Sequence, residues 1–135
     1  MQAMKFREAL QKSIQDGIGN NKRIALLFSG GTDSLTCLFA LMDLGIHPVL
    51  YSFHLQGIIH QDIHVSRKVA QFYNLRHILI EIPKDRERLI RDVVHLIRTY
   101  RIYRKTNIQC TYPFYYVLPE VKESVVVSGL GADDL

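Results

Sequence analysis

Apolar residues follow two patterns along this chain. Short continuous runs at 24–28, 49–53, 77–82 and 124–128 read as strands buried on both faces. Between them, apolar positions return every three or four residues, as a helix with one buried face requires. Phe6, Leu10 and Ile14 mark such a face over 4–18, and Leu35, Leu38, Phe39, Leu41 and Met42 mark one over 32–44, with Gly45 as its stop. Ile63, Val69, Ala70 and Phe72 do so over 61–73, and Leu89, Ile90, Val93, Val94, Ile97 and Tyr100 over 84–103. Residues 54–57 read as the loop leaving the second strand, and Pro83 stops the third. Residues 106–119 are less regular; Pro113, after Thr111 and Tyr112, is expected to open a helix there, and the bulky run 114–118 reads as core more readily than as a platform for an adenine. Strands alternating with helices predict an α/β fold: a Rossmann-like parallel sheet of four to five strands with helices on both faces, its expected order 3-2-1-4.

The first strand carries the most information, because of the turn into which it runs. The apolar run Ile24–Phe28 breaks into Ser29-Gly30-Gly31-Thr32-Asp33-Ser34 and then into a helix. A strand–turn–helix junction gathers free backbone N–H groups at the positive end of a helix dipole, which suits a phosphate. Gly30 and Gly31 permit backbone angles and close approach that a side chain would block. Ser29, Thr32 and Ser34 add hydroxyls. Asp33 would repel a phosphate unless a cation lay between them, and Mg²⁺ is the hard ion suited to that place. No Lys follows the glycines, so the loop is not of the Gly-x-x-x-x-Gly-Lys type, and the Gly-x-Gly-x-x-Gly dinucleotide spacing is absent.

Composition narrows the class only a little. The 135 residues predict one domain, 47% hydrophobic and 22% charged, with enough chain to bury a core. No apolar run approaches the roughly 20 residues that cross a bilayer, and residues 1–18 lack the apolar core of a signal peptide. A cytoplasmic location is the default expectation. Cys37 and Cys110 form no framework. The net charge of +4 suits a nucleotide or nucleic acid without requiring either. Arg86, Arg88, Arg91, Arg98, Arg101 and Arg104 line the long fourth helix; such a face is more often merely solvated than an RNA patch.

The chain ends as its first loop began. The β-branched strand runs into Ser128-Gly129-Leu130-Gly131-Ala132-Asp133-Asp134-Leu135. If strands one and four are neighbours, Asp33 and Asp133 can share one Mg²⁺–phosphate, and Gly129 and Gly131 let the second loop approach it.

With both loops in view, the sequence resembles a family. Ser29-Gly30-Gly31-Thr32-Asp33-Ser34 is similar to the Ser-Gly-Gly-x-Asp-Ser loop of the PP-loop ATP pyrophosphatases. Together with the later Ser-Gly-x-Gly-Ala-Asp-x-Leu pattern, it resembles the ATP-binding domain of asparagine synthetase and β-lactam synthetase. Ser52-Phe53, Ser66 to Ala70 and His77 resemble weaker features of that domain. The resemblance implies a HUP-type Rossmann-like fold over 1–135, binding of ATP and Mg²⁺, and cleavage of ATP to AMP and pyrophosphate. It implies an adenylated small-molecule carboxylate that an amine then converts to an amide. Ser29, Gly30, Gly31, Thr32 and Ser34 would hold the β- and γ-phosphates; Ser52, Phe53 and Leu55 would border the adenine; Asp33 and Asp133 would bind Mg²⁺. Gly129, Leu130 and Gly131 would face the nucleotide.

Departures from the pattern leave several readings open. Leu130 stands where the family has a Glu, and Asp134 where it has another. The expectation from residues 1–135 is a domain without the family's glutaminase domain and without its C-terminal extension. The expectation is therefore either an ATP-binding half completed by a separate or ammonia-supplying subunit, or a compact ligase with a changed acceptor. A nucleotide-binding module without turnover and a tRNA-modifying enzyme are the alternatives.

Overall fold

The computed structural model of the protein describes residues 2–130. Five helices and four strands alternate: α1 (Gln2–Ile18), β1 (Ile24–Leu27), α2 (Thr32–Asp43), β2 (Val49–Leu55), α3 (Gln61–Phe72), β3 (His77–Ile82), α4 (Arg86–Tyr100), α5 (Lys105–Val117) and β4 (Val125–Val127). A short 3₁₀ turn, Leu118–Glu120, precedes β4. The strands form one parallel sheet, as the alternation predicts, in the expected order β3-β2-β1-β4.

Strand pleating sorts the apolar residues into two cores. Ile24, Leu26, Phe28 and Leu50 pack with Ile14 and Ile18 of α1, Leu38 and Leu41 of α2 and Ala70 of α3. Ala25, Tyr51 and Ile80 face the other way, onto Val117 of α5. Helices thus cover both faces, and the two central strands are buried on each side. Among the described residues no helix is long and apolar enough to cross a membrane.

Local chemistry sets the element ends. Asp85 caps α4 by accepting a hydrogen bond from the Arg88 N–H at 3.1 Å, so the helix starts at Arg86 rather than at 84. Arg101 turns left-handed at φ 55° and ends it at Tyr100, short of the expected 103.

Two expectations need correcting. Residues 54 and 55 are not loop: His54 and Leu55 pair with Glu81 and Ile82, because β3 runs far enough to offer them partners. The turn comes at Gln56 and Gly57, the latter at φ 76°. Pro113 does not open a helix; α5 begins eight residues earlier, at Lys105, and Pro113 lies inside it. Proline removes the hydrogen bond to the carbonyl four residues back, here Gln109. Gln109 lies on the wall of an open cleft, where another donor can take that bond.

A candidate nucleotide cleft at the strand ends

A cleft of about 470 Å³ opens beyond the carboxyl ends of β1, β2 and β4, the place where open α/β sheets hold ligands. Its floor is the turn between β1 and α2. Gly30 sits at φ 82°, and a Cβ there would lie 3.0 Å from both the Asp62 carbonyl oxygen and Ser66 Oγ. Glycine is thus required twice, for the left-handed angle and for the close packing of α3. Gly31 is the N-cap of α2 and provides no capping side chain, so the first N–H groups of the helix remain available to a ligand.

The loop hydroxyls have distinct duties. Ser34 is buried and donates to the Gly31 carbonyl at 3.1 Å. Its oxygen lies 3.2 Å from Ser29 Oγ, so Ser29 is the donor of that pair. Ser29 Oγ also accepts from the Gly31 N–H. Ser34 therefore braces the loop, while the exposed Ser29 can turn its proton toward a ligand. Thr32 and Asp33 are exposed in the first turn of α2, and Asp33 lines the cleft. Cys37, one turn on, is held above the ordinary thiol range by burial first and by the Asp33 charge second.

The loop after β4 closes the site from the other side. Ser128, Gly129 and Leu130 all line the cleft, and Ser128 Oγ accepts from the Leu130 N–H at 3.1 Å. Leu130 is 66% exposed. A Cβ on Gly129 would meet Asp33 Cβ at 3.1 Å and the Ser34 nitrogen at 3.3 Å. The two glycine loops therefore touch, as the adjacency of β1 and β4 requires. Gly131 and Asp133 lie outside the described residues, so the expected pairing of Asp133 with Asp33 falls outside them too.

Ser52 and Phe53 of β2 also reach the cleft. Ser52 is buried; its hydroxyl donates to the Phe28 carbonyl and so accepts from His77 Nε2 at 2.8 Å. It stitches the three strands together beneath the site. Burial, and then the charge of Arg67, hold His77 below the ordinary imidazole range, consistent with a neutral ring that donates from Nε2. Leu55 does not reach this cleft and instead lines a second cavity beside it.

Sequence reasoning missed one wall. His60, Asp62 and Ile63 enter from the start of α3, and Gln109 and Cys110 from α5. The aromatic run 114–118, readable as core or as an adenine platform, divides: Phe114 faces the cleft while Val117 and Tyr116 enter the core. The available signal was helical spacing, since Gln109, Pro113 and Cys110, Phe114 are pairs four apart.

Among the described residues no group of three or more His, Cys, Asp or Glu is gathered to hold a metal. Among the described residues Asp33 and Asp62 bring carboxylates to the cleft, and Asp33 is the one in the first turn of α2 beside the phosphate-suited N–H groups. Such a site fits Mg²⁺ shared with phosphate oxygens rather than a metal caged by protein.

The asparagine synthase family model matches residues 5–135. No curated protein matches the sequence. Among solved structures, the chain is similar to an NMN synthetase from Francisella tularensis, with 18% identity, a TM-score of 0.60, and coverage of 90% of this chain and 52% of that one. It is also similar to a predicted subunit of tRNA methyltransferase from Methanocaldococcus jannaschii, with 20% identity, a TM-score of 0.52, and coverage of 79% and 52%. These likenesses concern the fold, and the chain spans about half the length of both structures.

Proposed function

The chain belongs to the asparagine synthase family, within the PP-loop ATP pyrophosphatase superfamily, and on that premise we propose that it binds ATP with Mg²⁺ and cleaves it between the α- and β-phosphates to adenylate a carboxylate for amide formation. The observation that carries this reading is the contact of the two glycine loops across Gly129 and Asp33, at the mouth of one cleft.

In this reading the N–H groups at the start of α2, with Ser29, Gly30, Gly31 and Thr32, hold the β- and γ-phosphates, and Ser34 keeps the loop in shape. Phe53 and Phe114 offer apolar surface to the adenine, with Ser52 behind them. Asp33, with Asp133, would hold Mg²⁺, which neutralises charge on the departing pyrophosphate. A carboxylate oxygen attacks the α-phosphorus and pyrophosphate leaves. An amine then attacks the acyl carbon, AMP leaves, and the amine gives up a proton. The protein contributes position and fixed donors more than covalent chemistry. Leu130 cannot accept that proton, so the acceptor side differs from the family pattern or is completed by another subunit.

Product analysis tests this. Incubation with ATP, Mg²⁺ and a pool of carboxylates and amines is expected to release AMP and pyrophosphate. ADP and phosphate would overturn the assignment, and intact ATP with saturable binding would leave a nucleotide-binding module.

A second reading, a tRNA-modifying enzyme, is favoured by one observation. Arg86, Arg88, Arg91, Arg98, Arg101 and Arg104 are all exposed, form no ion pair among the described residues, and are interleaved with Tyr100 and Tyr103, 61% and 68% exposed. Phosphate contact with base stacking is the chemistry that such a face offers. Salt-sensitive binding of a transcribed tRNA, lost on reversing Arg91 and Arg98 to Glu, would support it.

A further inference from the structure

Beside the cleft lies a second cavity of about 450 Å³, a volume that suits a small organic molecule. It shares Phe53, His60, Gln109 and Pro113 with the nucleotide cleft, so a ligand in one borders a ligand in the other. Beyond that border its walls are Leu55 and Ile82 at the strand ends, Leu89 and Val93 of α4 and Ile108 of α5, with His54 and Tyr112.

Polarity runs one way across this cavity. Two of its polar residues, His60 and Gln109, stand on the border with the nucleotide cleft. The other two, His54 and Tyr112, stand in the far part and have partners within the protein. His54 is buried, and its Nδ1 lies 2.9 Å from the Leu55 carbonyl oxygen and 3.2 Å from that of Ile58, so it donates to them. Its Nε2 lies 4.0 Å from the Glu81 carboxylate, so any charge on the ring is met by Glu81 rather than by a ligand. The Tyr112 hydroxyl lies 3.3 Å from that of Tyr116. Among the described lining residues there is no Lys, Arg, Asp or Glu, and carbon makes nearly all of the cavity's surface.

From this arrangement we propose that the second cavity takes the apolar body, an aryl or branched alkyl group, of an acid whose head lies at the border with the nucleotide cleft. The cavity selects the body: a charged group on it would lose its water and gain no counter-ion. The head is a carboxylate because the proposed reaction adenylates one, so that part rests on the proposed function. The acceptor is then an apolar monocarboxylate, and a small dicarboxylate is rejected.

Calorimetric titration of the full chain, with nucleotide omitted, tests the body. The apolar acid 3-(4-isopropylphenyl)propanoate is expected to saturate. Its isostere 3-(4-carboxyphenyl)propanoate, with a charge at the far end of the body, should bind at least about tenfold more weakly. Leu89 is exposed and lines this cavity but not the nucleotide cleft. Leu89→Trp should therefore weaken the apolar acid at least about tenfold and leave ATP affinity unchanged. Exchange of labelled pyrophosphate into ATP tests the head; the apolar acid should support it and the dicarboxylate should not. An apolar acid that does not saturate, a dicarboxylate that binds equally well, or a folded Leu89→Trp that binds the apolar acid unchanged would each overturn the proposal. Binding of both the apolar acid and ATP without exchange would overturn the acid's role as substrate. Binding of the apolar acid by a chain that does not bind ATP would instead overturn the nucleotide reading, while the cavity's choice of body stands.

Discussion

Gly129 rests directly against Asp33: a Cβ on the glycine would lie 3.1 Å from the aspartate Cβ and 3.2 Å from its carbonyl carbon. Two loops about a hundred residues apart in sequence thus share one surface, and any side chain at 129 must push the first turn of α2 away. Gly129→Val is expected to weaken ATP binding by at least about tenfold with a small change in melting temperature, because the clash falls on the first turn of α2 at the cleft mouth rather than on core. Nucleotide titration alongside thermal melting separates the two; full affinity in the variant would show that the loops need not touch.

Gly30 is constrained more severely. Its φ of 82° and the 3.0 Å approach to the Asp62 carbonyl both penalise a side chain. Gly30→Ala should cost about 2–3 kcal/mol, from left-handed strain of about 1–2 kcal/mol plus the crowding against α3. Urea unfolding measures this, and a loss below about 1 kcal/mol would mean that the loop relaxes. A nucleotide-binding defect here would therefore arrive with a folding defect, unlike that at Gly129.

Asp33 allows a cleaner dissection, since it is exposed and its removal leaves no cavity. Asp33→Asn should keep the melting temperature and lose the Mg²⁺ dependence of ATP binding. It should also draw the Cys37 thiol down toward its ordinary value, because the Asp33 charge is the second cause of its elevation after burial. The pH profile of Cys37 alkylation reads that shift without any nucleotide; an unmoved profile would show that burial alone sets it.

How much of this was legible in the sequence depends on range. β1 and its glycine turn are encoded within a dozen residues, and the parallel sheet follows from alternation of apolar runs with helical spacing. The loop-to-loop contact followed only once β1 and β4 were taken as neighbours. Pro113 misled because a local rule placed it at a helix start, whereas α4, the sheet and the open cleft together tolerate it mid-helix. Leu55 misled because strand length depends on the partner: β2 continues to Leu55 where β3 provides Ile82. The wall built by His60, Asp62 and Gln109 is tertiary, and no short pattern marks it.

His77 gives the fold a pH dependence. Burial and Arg67 favour its neutral form, lowering its value from the ordinary 6.5. The unfolded chain therefore takes up a proton on acidification before the folded one does. The stability contribution is intact above about 6.5 and falls as the pH drops from there toward the folded value. His77→Gln, which can still donate to Ser52, should flatten that part of the stability curve measured by urea unfolding between about pH 5 and 8. A curve of unchanged slope would assign the dependence to other groups.

Buried Asp92 and half-buried Tyr116 link α4 to α5 beside the second cavity. Burial first, and then the hydrogen bond to Asp92, drive the Tyr116 hydroxyl above the ordinary phenol range, so it stays protonated and donates. Asp92→Ala removes the acceptor and leaves the half-buried Tyr116 hydroxyl only the longer contact to Tyr112, which should cost about 1–3 kcal/mol. Tyr116→Phe leaves a buried carboxylate without its donor and should cost a similar amount. The double variant loses both polar partners together, so its cost should fall short of the sum of the singles by about 1–2 kcal/mol. Urea unfolding of the four proteins closes the cycle. Additive costs would show that the two groups do not depend on one another.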